Sequence, residues 1–175
     1  MSAQVQAARH ADVACLKLIG ELRHTLAEDI QEFSDRLFEQ DNVPQHLVID
    51  LSEADFMDST VIGLVVGLAR ELSERDLPPA TIACSEPEIT QLFHNLRLDD
   101  VFVMVEHDIP SPGELRPVID GQAEENALEH ASMVLRAHDA LIAANEENRD
   151  PFAAVVDLFR LEVERLEGEQ PKDSD

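Results

Sequence analysis

Asp58-Ser59-Thr60 stands between a short apolar run, Leu47-Val48-Ile49-Asp50-Leu51, and a long apolar stretch that opens at Val61. If that stretch is a helix, Ser59 lies in its first turn, where backbone N–H groups are unpaired and the helix end carries partial positive charge. A serine hydroxyl there sits where a phosphate is tolerated. Serine and aspartate also cap helices by local hydrogen bonding alone. Capping is the simplest role for Asp58, which could also orient the serine or meet a kinase-bound metal. Thr60 is a second hydroxyl, an alternative acceptor or a support for Ser59.

A nucleophilic enzyme is the competing class. Ser59 has no Gly-x-Ser-x-Gly surround, and the nearest histidine in sequence is His46. The histidines at 10, 24, 46, 94, 107, 130 and 138 show no metal-ligand spacing with one another or with a cysteine. His130 and His138 share one expected helix and read as packing or surface residues. A histidine or metal within hydrogen-bond reach of the Ser59 hydroxyl would revive the enzyme reading. Asp50, Asp55 and Asp58 could imitate the magnesium site of a receiver domain, but no lysine occurs between Lys17 and Lys172 to complete it. The expectation is a protein that is not an enzyme and holds no metal and no cofactor.

The elements that would position Ser59 follow from periodicity. Ala14 to Ile19 reads as a strand ending at Gly20-Glu21-Leu22, and a helix capped by Thr25 with Glu28 follows, using Leu26, Ile30, Phe33, Leu37 and Phe38. The run Leu47–Leu51 is apolar enough for a central strand covered on both faces. Ser59 to about Glu74 is a helix with so broad an apolar arc that it should be largely buried. Gly63 and Gly67 lie on one face of it, and close approach to the neighbouring strand is the simplest reason for them. A strand at Thr81–Cys84, a helix over Glu88–Leu98 and a strand at Val101–Val105 complete the order βαβαβαβ, which predicts an α/β fold with a mixed, mostly parallel sheet and helices packed on it. Phe56 and Met57, just before the long helix, read as a staple or core pair.

Three prolines and a glycine between Asp108 and Pro117 rule out a continuing sheet or helix there. The expected division is therefore a domain over 1–107, a linker over 108–120, a helical hairpin over 121–168 and a disordered tail over 169–175. In the hairpin, Leu128, Ala131, Val134, Leu135, His138, Leu141 and Ile142 trace one face; Asp150-Pro151 starts a second helix with Phe152, Val155, Val156, Phe159, Val163 and Leu166 as its stripe. Two such helices bury too little to stand alone. They could lock the monomer, form a homodimer, or add partner specificity.

Composition narrows the partners. The chain of 175 residues has a formal charge of −24 and 44% hydrophobic residues. The excess of carboxylates is spread over both halves, which opposes nucleic acid and anionic membrane surfaces alike. No apolar run reaches the roughly 20 residues that span a bilayer, and the N-terminus shows no basic start followed by an apolar stretch, so the cytoplasm is expected. Cys15 and Cys84 sit in apolar runs and read as packed free thiols.

The segment Val48 to Leu72, with Asp58-Ser59-Thr60 and Gly63 at its centre, resembles the signature of STAS domains, the anti-sigma factor antagonists, over about residues 13 to 107. The family pattern puts a glycine directly after Asp-Ser-Ser/Thr; Val61 stands there in this chain, where it should alter how a kinase grips the loop. The resemblance implies a bacterial signal-transduction phosphoprotein that regulates transcription by partner switching. It implies Ser59 as phosphoacceptor and a partner surface of Asp55, Phe56, Met57, Asp58, Ser59, Thr60 and Val61. The unphosphorylated form would bind an anti-sigma factor that is itself a serine kinase; phosphorylation would end the complex, and a serine phosphatase would reset it. The alternative is a STAS regulator of another signalling enzyme, such as a cyclic-dinucleotide cyclase.

Overall fold

The computed structural model describes residues 2–119 and 126–170. β1 (Gln4–His10) and β2 (Val13–Leu22) form a hairpin, and a 3-10 turn at His24–Leu26 leads into α1 (Ala27–Phe38). Then come β3 (His46–Asp50), β4 (Ala54–Met57), α2 (Ser59–Glu74), β5 (Thr81–Ala83), α3 (Pro87–Asn95), β6 (Val103–Val105) and β7 (Arg116–Pro117). α4 (Ala127–Ala144), a 3-10 turn at Glu146–Asn148 and α5 (Arg149–Glu169) end the chain.

The sheet runs β6-β5-β3-β2-β1-β7, with β4 paired to β2 beyond β3. The β2–β3, β3–β5, β5–β6 and β2–β4 pairs are parallel; β1 pairs antiparallel with β2 and with β7. This is the expected mixed, mostly parallel α/β architecture. Apolar residues of β2, β3 and β5, among them Leu16, Leu18, Ile49 and Ile82, are fully buried in one core with Leu51, just after β3, and with Ile62 and Leu68 of α2.

Several expectations are corrected. The sheet begins one strand earlier, with β1, which turns into β2 through Ala11 at φ 50°. The linker expected to hold no regular structure contributes β7, which an edge position allows although Pro117 has no N–H to donate. Thr25 does not cap α1; the 3-10 turn takes that place, and Leu26 precedes the helix with no side-chain cap. Asp150-Pro151 lies within α5, which the turn ending at Asn148 brings in. Position 120 of the expected linker, the start of the expected hairpin at 121–125 and the end of the expected tail at 171–175 lie outside the described residues; α5 itself continues to Glu169.

Candidate functional site

Gly20 organises the site. With φ 85° it adopts a conformation that side-chain-bearing residues disfavour, and the ladder between β2 and β4 shifts register immediately after it. β2 thereby serves β3 with residues 13–17 and β4 with residues 20–22. The Asp58 N–H continues the ladder by donating to the Leu22 carbonyl at 3.0 Å, so the start of α2 is pinned to the end of β2.

Asp58 then works in two directions. Its Oδ1 accepts the Val61 N–H at 2.9 Å and caps α2; its Oδ2 accepts the His24 backbone N–H at 2.7 Å. The capping role expected of Asp58 is observed. Both carboxylate oxygens are engaged, so Asp58 positions the turn.

Ser59 is half-buried, and its Oγ lies 2.9 Å from Nε2 of His138 on α4. His138 is buried, and its Nδ1 lies 2.7 Å from the Val134 carbonyl. A carbonyl only accepts, so Nδ1 carries the proton; in the neutral ring Nε2 is then the acceptor, and the Ser59 hydroxyl donates to it. The ring also meets Phe152 of α5 edge-on, with centroids 5.4 Å apart.

The expectation for the two α4 histidines is thus corrected: neither merely packs. His138 bonds Ser59, and His130 Nδ1 lies 2.8 Å from Glu28 Oε1 on α1 while its Nε2 lies 3.3 Å from His24 Nδ1. The hint was present in sequence, since His138 is a polar residue inside the apolar stripe of its helix.

A serine donating to a neutral imidazole is the first half of a nucleophile–base pair. Here the far nitrogen of the ring meets a backbone carbonyl, which orients the imidazole but gives an imidazolium less support than a carboxylate would. The histidine within reach of the Ser59 hydroxyl meets the condition set above for an enzyme reading, with a backbone carbonyl rather than a carboxylate behind the ring. No group of three or more His, Cys, Asp or Glu side chains able to hold a metal occurs among the described residues.

Of the seven residues expected to form the partner surface, Asp55 and Phe56 are exposed, Asp58 and Ser59 are half-buried, and Met57, Thr60 and Val61 are buried. Val61 is completely enclosed in the core, so its branched side chain does not alter the surface a kinase would meet. Phe56, 41% exposed, lies under the Arg23 guanidinium at 4.6 Å from the ring centroid and lines a groove with Pro87, Ile89 and Leu92 of α3. Of the apolar pair before α2, then, only Met57 enters the core.

Gly63 also proves different from its expected role. A Cβ built there would meet the Ala137 carbonyl oxygen of α4 at 2.2 Å, so the glycine admits a helix rather than a strand. Gly67 has nothing within 4 Å of such a Cβ.

The STAS domain family matches residues 4–111. The chain belongs to the STAS domain family. The match spans β1 to the start of the β6–β7 connection, so α4 and α5 lie beyond it. Among solved structures, the chain is similar to the anti-sigma factor antagonist SpoIIAA in its unphosphorylated form, at 23% identity over 62% of this chain and 90% of that one, with a TM-score of 0.49. It is similar to the Bacillus cell fate determinant SpoIIAA in the phosphorylated form, at 23% identity over 59% and 91%, TM-score 0.48. A third similar structure is an anti-sigma factor antagonist from Mycobacterium paratuberculosis, at 20% identity over 59% and 85%, TM-score 0.45. No helix among the described residues of this STAS protein is long and apolar enough to cross a membrane.

Proposed function

We propose that this STAS protein is a cytoplasmic bacterial anti-sigma factor antagonist, a regulatory partner protein switched by phosphorylation of Ser59. The observation that carries the reading is the placement of Ser59 as the first residue of α2, beside a cap, Asp58, whose carboxylate is already committed to two backbone N–H groups. Ser59 is not needed to cap its own helix, so modifying its hydroxyl leaves the cap in place. The partner is an anti-sigma factor that acts as the serine kinase, and a serine phosphatase resets the switch. Asp55 and Phe56, with the groove beside α3, supply the exposed contact area next to Ser59.

A phosphate on Ser59 adds about −1.5 to −2 charges next to Asp58. The N-terminus of α2 favours that charge and the neighbouring carboxylate opposes it, so the sheet and α2 stay folded, while the hydrogen bond from Ser59 to His138 of α4 is lost. A partner packed over the site gains a desolvated dianion in its interface. A loss of about 3–4 kcal/mol in binding, roughly two to three decades in affinity, suffices to exchange partners. Phosphorylation dissociates the complex and leaves the protein folded.

The test is binding of the cognate anti-sigma factor by Ser59→Ala and by Ser59→Asp. Ser59→Ala is expected to bind at least as tightly as the unmodified protein and Ser59→Asp at least tenfold more weakly than Ser59→Ala. Equal binding by the two would overturn the switch.

A further inference from the structure

We propose that the C-terminal helix pair is a built-in occupant of the Ser59 surface, and that a protein docking on the N-terminal half of α2 must first displace α4. The partner's identity rests on the function proposed above. The occupancy itself rests on geometry.

The seat is cut to fit. At Gly63 the backbone of α4 comes so near that even a methyl group would strike Ala137 main-chain atoms between 2.2 and 2.8 Å away. One turn earlier on α2, the Ser59 hydroxyl is held by His138, the next residue of α4. The proton-bearing side of the candidate phosphoacceptor therefore faces the protein's own helix. A kinase or an anti-sigma factor approaching Ser59 meets α4 in place.

The helix pair is also fastened in a way that can be undone. It adds no strand to the sheet, so its departure breaks no ladder. Among the described residues its polar ties to the STAS domain include His130 with Glu28 and His24, His138 with Ser59, Asn148 with the Leu96 carbonyl, and Arg97 with Glu147. Each tie exchanges for hydrogen bonds to water or to a partner, and each is worth only about 1 kcal/mol net. The buried face of α4 mixes Ala131, Ala137 and Ala140, which bury little apolar area, with Met133, Val134, Leu141 and Ile142, so a displacing partner has to cover the apolar surface that α4 leaves. The vacated seat fits a helix that presents alanine or glycine opposite Gly63.

Gly63→Ala in the full chain tests this directly. Alanine favours the α2 helix but wedges α4 away, whereas Gly67→Ala makes the same change where nothing is in reach. Hydrogen–deuterium exchange of the α4 amides is expected to rise at least tenfold in Gly63→Ala and to stay at the wild-type level in Gly67→Ala, with β2, β3 and β5 protected in both. His138→Ala, a milder change that removes the bond to Ser59, is expected to raise α4 exchange to a lesser extent. If α4 exchanged only together with the sheet in every variant, it would be a permanent part of the fold and the proposal would be wrong. In host-cell extract supplied with ATP, intact-mass analysis is expected to show Gly63→Ala gaining phosphate on Ser59 at least tenfold faster than wild type. Equal rates in the two proteins would overturn the occupancy. A complete lack of phosphate on Ser59 in all variants would instead overturn the function proposed above, leaving the exchange data to judge the latch.

Discussion

Asp58 ties the first turn of α2 to the residue after β2: one carboxylate oxygen caps the helix at the Val61 N–H and the other holds the backbone N–H of His24. The second bond bridges segments that are distant in sequence. Asp58→Ala removes a helix cap worth about 1 kcal/mol and a second hydrogen bond, from an exposed N–H, worth about 0.5–1.5 kcal/mol. Denaturant unfolding of Asp58→Ala should show a loss of about 1.5–2.5 kcal/mol. Asp58→Asn, which keeps one acceptor oxygen, should lose about half as much. A loss below about 0.5 kcal/mol for the alanine variant would mean that water replaces both bonds.

Phe56 presents the opposite case. It is 41% exposed, with the Arg23 guanidinium over its ring. Phe56→Ala should change unfolding stability by no more than about 1 kcal/mol. If the groove beside α3 contacts the partner, the same variant should weaken anti-sigma factor binding at least tenfold, because exposed aromatic residues often anchor such interfaces. A binding assay and an unfolding curve on one preparation separate the two effects.

Asn148 is buried in the turn between α4 and α5 and donates to the carbonyls of Leu96 and Leu141 at 3.0 and 2.9 Å. It joins the helix pair to the end of α3 and to itself. Asn148→Ala removes two hydrogen bonds, one to the half-buried Leu96 carbonyl and one to the Leu141 carbonyl, which keeps the Asn145 N–H, and should cost about 1–2 kcal/mol. Exchange should rise first in α4 and α5; if the sheet loosened equally, this turn would be holding the whole domain.

Cys15 reports on the core of the sheet. Burial first, and the charge of Asp50 second, push its thiol up to about 11 against the opposing pull of Lys17. The native protein should react slowly with thiol reagents near pH 8, where thiolate is the attacking form. The protonated thiol is favoured by the fold, so its contribution is complete below the unfolded pKa near 9. It is lost as pH climbs toward 11, a decline on the order of 2 kcal/mol. Cys15→Ala should flatten that part of the stability–pH curve. An unchanged curve would assign the decline to other groups, among them Lys17, whose ammonium is held charged against burial by Glu53 and Asp50 and loses that support above 10.5.

The parts of this molecule that were legible in sequence are those ruled by local patterns. α2 runs from Ser59 to Glu74, as its apolar arc and the preceding aspartate predict, and Asp58 caps it as expected. β1 escaped because two alanines stand in its middle and its turn, Ala11-Asp12, has none of the glycine that advertises a hairpin. β7 escaped because proline is read as a breaker, which holds for a central strand and fails at an edge. The contact between Ser59 and His138 obeys no spacing rule, since it exists only once α4 has packed across α2. Val61 was misplaced for a related reason: its position in the motif says nothing of which way the helix turns it, and burial decides that.

The segment that leads from β6 to the helices has a second effect. A Cβ built on Gly113 would lie 3.3 Å from the Arg9 carbonyl oxygen, Arg116 and Pro117 pair with Ala7 and Gln6, and the Val118 N–H donates to the Val5 carbonyl. Together they line the outer side of β1 and end the sheet in a strand of two residues, one of which cannot donate. An incoming strand from another molecule finds almost no ladder to extend there, so this connection also protects the sheet against edge-to-edge aggregation.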